Sequence, residues 1–223
     1  MKAPLTALIR LGIERLGVTT SELAVEQLAA YLQLLERWNR TYNLTAVRRS
    51  TDMVGLHILD SLAILPWLQG PRLLDVGSGA GLPGIPLAIV CRALDFVLLD
   101  SNGKRVRFMT QAVAELGLKN VSVVRCRAEN YQPAMPFDSV VSRAYASLAD
   151  MLHSAGRLCG TGGRLLAMKG VYPATELATL PPGFLIKGVY RLNVPELDAE
   201  RHLVHLAPDN SPTRNHSWPI SSR

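Results

Sequence analysis

Apolar and polar positions along the 223-residue chain follow two regimes. Up to about residue 70 they recur at helical spacing. Val25, Leu28, Leu32 and Leu35 stand at intervals of three and four and predict a long amphipathic helix. Thr19, with Glu22 three residues on, offers a capping box for its start, and polar WNRTYN (38–43) is expected to end it. A shorter helix is expected from Asp52 to Leu65, stopped by Pro66, which disfavours helical backbone in the residue before it. Residues 1–70 therefore read as an N-terminal helical cap.

From Arg72 onward the texture changes. RLLDV (72–76), DFVLLD (95–100), VSVVRC (121–126), FDSVVS (137–142) and RLLAMK (164–169) are short, mostly apolar runs, as expected of strands covered on both faces. Between the second and third, Val106, Met109, Val113 and Leu116 mark one helix face that stops at Gly117, a C-cap residue type. Strand, helix and strand in alternation predict a parallel sheet with crossover connections. After a short helical stretch near 173–180 the rhythm breaks: GFLIKGVYRLNV (183–194) and RHLVHLA (201–207) are too close together for a crossover and should pair antiparallel. One α/β domain over 71–207 results, and polar, proline-containing 208–223 reads as a loose tail.

Composition narrows the classes. Apolar residues at 48% and charged residues at 19% describe an ordinary soluble globule. No apolar run approaches the roughly 20 residues of a membrane span. The N-terminus, with arginine and glutamate inside its apolar pattern, does not resemble a signal peptide, so a cytoplasmic location is expected. Cys91, Cys126 and Cys159 have no metal-ligand spacing and are expected to be reduced, buried thiols. A net charge of +6 favours an anionic partner such as nucleic acid.

The chemistry is concentrated in LLDVGSGAGLPGIPLAIV (73–90). A strand ending in Asp75, then Gly77, Gly79 and Gly81, then a helix starting near Gly84, lets backbone approach a ligand where side chains would block it. A tight turn without a ligand is the plain alternative. The dinucleotide pattern GxGxxG fails because Leu82 stands at its third glycine; no Gly-Lys-Ser/Thr follows for a phosphate loop; and Val76 and Ala80 exclude a GxSxG elbow around Ser78. DxGxGxG remains, the pattern typical of proteins that bind S-adenosylmethionine. Asp100, one βαβ step later, could accept hydrogen bonds from ribose hydroxyls, with an unrelated surface carboxylate as the competing reading. Beyond the third strand, Ala128 and Glu129 stand where an adenine would lie.

Seven segments together resemble the bacterial 16S ribosomal RNA guanine-N7 methyltransferases, also called the glucose-inhibited division protein B family. They are NLTAVR (43–48), HILDSL (57–62), LLDVGSGAGLPGIPLAI (73–89), LLDSNGKRVRFM (98–109), SRAYASL (142–148), AMKG (167–170) and VPELDAERHLV (194–204). The resemblance implies a Rossmann-like S-adenosylmethionine-dependent methyltransferase sheet, mostly parallel with an antiparallel C-terminal strand and preceded by the helical cap. It implies cofactor contacts at Gly77, Leu82, Ala128, Glu129 and Arg143, to which the residue reading adds Asp75, Gly79 and Asp100. For Arg143 a salt bridge to Asp138 or Asp150 is the bland alternative.

Guanine N7 carries a free lone pair, so such a transfer needs alignment and no general base. In agreement, SRAYAS (142–147) follows the fourth strand in place of an Asn/Asp-Pro-Pro-aromatic motif, and no cysteine has a Pro-Cys setting. His57, Asp60 and Ser61 share one short helix without an oxyanion hole and suggest a structural or RNA-facing role rather than a triad. Arg143, Lys169 and Arg201 are the expected substrate-positioning residues, able to donate to guanine O6 or phosphate. Lys104 and Arg157 read as solvated surface charge. Tyr42 and Tyr145 are candidate base-stacking rings, whereas Trp38 suits the core. The expected partner is 16S ribosomal RNA, free or within the small subunit, met by a monomer with no metal and no membrane attachment.

Overall fold

The computed structural model describes residues 2–209 apart from 144 and 146; the tail expected beyond 209 lies outside them. Helices α1 (Lys2–Arg15) and α2 (Glu22–Tyr42) come first. Ser21, not Thr19, caps α2, its side chain accepting from the Ala24 amide, while Glu22 starts the helix and pairs with Arg10. The helix runs through WNRTY to Tyr42 and ends at Asn43 in the left-handed conformation (φ 49°). Polar WNRTYN does not end it earlier because Trp38 still packs on Phe108 and buried Asn39 holds the following loop, donating to Val47 O and accepting from Thr45 N.

The next helical segment is one unit of three parts, α3 (Ser50–Met53), a π-helical turn (Val54–Leu59) and α4 (Asp60–Leu62). In the π-turn the Asp60 amide reaches back to Gly55 O, five residues earlier. Gly55 itself has no room for a side chain: a Cβ there would stand 2.9 Å from Glu196 O.

The sheet comprises β1 (Arg72–Val76), β2 (Asp95–Asp100), β3 (Val121–Arg125), β4 (Phe137–Arg143), β5 (Cys159–Lys169), β6 (Phe184–Arg191) and β7 (His202–Pro208), in the order β3-β2-β1-β4-β5-β7-β6. The first five are parallel, and β7 runs antiparallel to both β5 and β6. β5 begins at Cys159, five residues before the predicted start, because Cys159 pairs with Phe137 and the glycine stretch then bulges out until Arg164 pairs with Ser139. Connecting helices are α5 (Gly84–Val90), α6 (Gly103–Glu115), α7 (Leu148–Ala155) and α8 (Ala174–Ala178).

Alternation along the strands splits the core between two faces. Leu73, Phe96, Leu98, Val141, Leu166 and Leu203 pack with α1, α2, α5, α6 and the π-turn in one continuous cluster. Leu74, Val76, Leu99, Val140, Leu165 and Ala167 pack with α7 on the other. The N-terminal helices thus share the core of the sheet's first face. They also touch the glycine turn directly, since buried Tyr31 donates its hydroxyl to Ala80 O at 2.7 Å. Of the cysteines only Cys159 is buried; Cys91 and Cys126 are half-buried, because Cys91 follows α5 and Cys126 leaves the outer strand of the sheet. Among the described residues, no helix is long and apolar enough to cross a membrane.

Tyr31→Phe removes a buried hydrogen bond between two layers without changing ring packing. It is expected to lower unfolding stability by about 1 kcal/mol, measured by urea denaturation.

Candidate active site

Strand β1 delivers the chain into the turn 77–83, and two carboxylates fix its shape. Gly77, Gly79 and Gly81 take left-handed backbone (φ 70°, 60° and 83°), which an L side chain rarely adopts. The Gly77 and Ser78 amides donate to Leu99 O at 2.8 and 3.1 Å, tying the turn to β2. Asp75 Oδ2 accepts from the Gly84 amide at 2.9 Å, and Asp100 Oδ2 accepts from the Gly79 amide at 2.9 Å. Gly84 is a packing glycine: a Cβ there would lie 2.2 Å from Leu98 and 2.7 Å from Asp75 Oδ2.

A cavity of about 170 Å³ opens beside this turn, lined by Gly77, Asp100, Cys126, Ala128, Glu129 and Tyr145 among others. Asp100 is 4% exposed; its Oδ1 accepts from the Asn102 amide and its Oδ2 also from Arg105 at 3.4 Å. The turn carrying Ala128 and Glu129 is clamped from beneath by Arg157, which donates to the carbonyls of Ala128, Glu129 and Tyr131. Arg157 is exposed, as the sequence suggests, and from the surface it also braces the turn that forms this part of the cavity wall. Its distance of 28 residues from Glu129 left no local signal.

Four expected cofactor contacts, Asp75, Gly79, Leu82 and Arg143, do not line this cavity. Asp75 has no exposed surface and Leu82 is 4% exposed, and neither lines the cavity. Asp75 faces back toward the start of α5, where it accepts the Gly84 amide, and Leu82 packs into the cluster beneath the turn. Both act on the turn rather than on its open side. Gly79 is likewise engaged through its amide by Asp100.

A second, larger cavity of about 550 Å³ adjoins Tyr145, which lines both. Its walls include Asp60, Arg143, Lys169, Glu176 and Arg201, so the three expected substrate-side cations converge in one place. Arg143 pairs with neither Asp138 nor Asp150: it donates to Asp60 Oδ2 at 3.1 Å and to Leu56 O at 3.0 Å. Asp138 is occupied by the Arg72 amide and Asp150 by the Ser147 hydroxyl that caps α7. Arg201 donates to Asp60 Oδ1 at 3.1 Å, and Lys169 to Glu176 Oε2 at 2.8 Å. Glu176 Oε2 also accepts the Leu148 amide, fastening α8 to the start of α7. The Tyr145 ring is set by its hydroxyl, 2.8 Å from Ser154 Oγ. Tyr42 instead packs on Trp38, with ring centroids 5.2 Å apart.

His57, Asp60 and Ser61 form no relay. Ser61 donates to the His57 carbonyl, His57 Nε2 lies 2.9 Å from Thr45 Oγ1, and the Asp60 carboxylate turns to the two arginines. Burial, aided by Arg143, pushes the His57 pKa down to about 4, so the ring is neutral at physiological pH.

Residues 24–204 match the family model for rRNA small subunit methyltransferase G. The chain belongs to that family. Proteins named ribosomal RNA small subunit methyltransferase G from Nitrosococcus oceani and Alkalilimnicola ehrlichii are 53% identical over 197 residues and 52% over 201. These alignments cover 88% and 90% of this chain and 92% and 91% of those proteins. Among solved structures, TrmN from Thermus thermophilus superposes with a TM-score of 0.54 at 18% identity, covering 78% of this chain and 52% of that one. The glycopeptide N-methyltransferase MtfA in complex with S-adenosylmethionine gives 0.55 at 12% identity, covering 69% and 95%. At these identities the structural likeness speaks for the fold alone, a methyltransferase sheet.

Burial raises the Asp75 pKa to about 7, only partly opposed by the Gly84 amide. An aspartate whose folded pKa lies above its unfolded value holds its proton more tightly when folded, so stability falls as pH rises from about 4 to about 7 and is level above that. The slope amounts to at most about 1.4 kcal/mol per pH unit. Asp75→Asn is expected to flatten the pH dependence of unfolding free energy across this window, measured by denaturant titration at successive pH values.

Proposed function

We propose that the chain transfers a methyl group from S-adenosylmethionine to N7 of a guanine in 16S ribosomal RNA of the small subunit, acting as a cytoplasmic monomer. Family membership supports the RNA substrate, and one observation carries the chemistry: Tyr145 is a common wall of the glycine-turn cavity and of the cation-lined basin.

The first cavity fits the donor in kind. Gly77 holds a left-handed φ at its mouth, where a Cβ would come 3.7 Å from the Tyr145 ring, leaving backbone open to a ligand. Asp100 and Glu129 offer carboxylate acceptors for ribose and adenine, and the Ala128 segment offers backbone, held in shape by Arg157. When bound, the cofactor would supply a methyl sulfonium, an electrophilic methyl group for the purine lone pair with a thioether sulfur as leaving group. The chain's task is then to orient and to exclude water. No group is needed to remove a proton, and His57, which lines the basin, has its Nε2 on Thr45 Oγ1. Arg143, Lys169 and Arg201 are the donors for guanine O6 or the flanking phosphates, leaving N7 free.

The decisive experiment supplies radiolabelled cofactor with intact small subunits, protein-free 16S RNA and a metabolite extract, then maps N7-methylguanine by strand scission. Label in the RNA at a scission-sensitive guanine is expected. Label only in small metabolites would overturn the reading in favour of a small-molecule methyltransferase, and RNA binding without transfer would leave a binding module.

Two substitutions separate the cavities. Asp100→Ala is expected to weaken cofactor binding by about tenfold or more, roughly 1.4 kcal/mol, by isothermal titration calorimetry. Lys169→Ala should leave cofactor affinity within about twofold while lowering transfer to RNA by about tenfold or more, read from single-turnover rates.

A further inference from the structure

Asp60 lies in the wall of the basin yet is nearly sealed from it, with 2% of its surface exposed. Each carboxylate oxygen accepts from a different arginine at 3.1 Å, Oδ2 from Arg143 and Oδ1 from Arg201. These arginines come from opposite sides of β5. Arg143 ends β4, Arg201 immediately precedes antiparallel β7, and Lys169 ends β5 between them. All three cations therefore stand at the same end of three neighbouring strands, where like charges repel.

We propose that Asp60 is a positioning residue, holding Arg143 and Arg201 as one fixed pair of donors aimed at the RNA; this rests on the reading given under Proposed function.

Three features support a positioning role beyond that of an ordinary surface ion pair. The side chains of both arginines are only 21% exposed, so neither can swing freely into solvent. Each is also anchored on a backbone carbonyl, Arg143 on Leu56 O and Arg201 on Glu200 O. Arg143 makes its two bonds through a single terminal nitrogen, which leaves other N–H groups of its planar fork for a ligand. The π-turn supplies the placement: by closing on Gly55 O, it presents the Leu56 carbonyl and the Asp60 carboxylate to the same guanidinium. Without the carboxylate, the two guanidiniums lose their common acceptor and their separation is no longer fixed.

Charge gives the proposal an unusual signature. Asp60→Asn makes the basin more positive by one unit, so pure attraction would strengthen RNA binding at low salt, whereas loss of aim would slow transfer. The expected result for Asp60→Asn is a single-turnover methylation rate on small-subunit RNA at least about tenfold below wild type. The loss persists at saturating cofactor, and the dependence of log K for RNA on log salt steepens by about one unit. In an Arg201→Ala background the same change should cost far less, because partners acting as a unit are not additive. Asp60→Glu keeps the charge and guards against a variant that fails to fold: its salt slope should match wild type and its rate lie between the two. A wild-type rate in Asp60→Asn, or full additivity with Arg201→Ala, would overturn the positioning role. Failure of the wild-type protein itself to methylate the RNA would instead overturn the reading on which it rests.

Discussion

A carboxylate without solvent holds the glycine turn in place. Asp75, next to last in β1, has no exposed surface, and it accepts the amide of Gly84 at the start of α5. Burial of an ionisable group is costly, and the cost is visible in the proton affinity of Asp75, raised to about 7. What offsets it is geometry available only here: Gly84 can approach because it has no Cβ, and three further glycines bend the chain between them through left-handed backbone. That fixed turn forms one wall of the first cavity. Asp100 takes the Gly79 amide, Tyr31 reaches Ala80 from the helical layer, and the Gly77 amide returns to β2.

The basin is organised on the opposite principle. Its cations come from three separate strand ends, and acidic side chains from distant segments keep them together. Asp60 joins two arginines and Glu176 receives the lysine. Two carboxylates against three cations leave a surplus positive charge in a partly enclosed space, where interaction with an anionic ligand is screened less than at an open surface. Tyr145, its hydroxyl fixed on Ser154, stands between the two cavities and gives them a common wall.

Local signals carried much of this. Strand runs, the helix face of α6 and the antiparallel ending were readable because burial on two faces forces period and composition. Errors fell where a local signal was overridden. Ser21 displaced Thr19 as cap because its side chain meets the Ala24 amide. Within WNRTYN, which does end α2, the helix runs on to Tyr42 because Trp38 and Asn39 are both held by tertiary contacts. The glycine stretch before Arg164 belongs to β5 because a bulge accommodates it. The π-turn left no periodic trace, and the clamp formed by Arg157 could not be read from spacing at all.

The sequence by itself determined the order of elements, the glycine turn and the residue types of the chemistry, because strand periodicity and left-handed turns impose their demands on neighbouring positions. It also named Arg143, Lys169 and Arg201. Only the tertiary structure decided which way the key side chains face: Asp75 and Leu82 inward beneath the turn, Asp100 and Glu129 along the cavity wall, and Asp60 between two arginines 83 and 141 residues away. Partners at such separations share no local pattern. Their meeting is set by how the sheet orders its strands, so a carboxylate in a short helix acquires its role only when β4 and β7 arrive beside it.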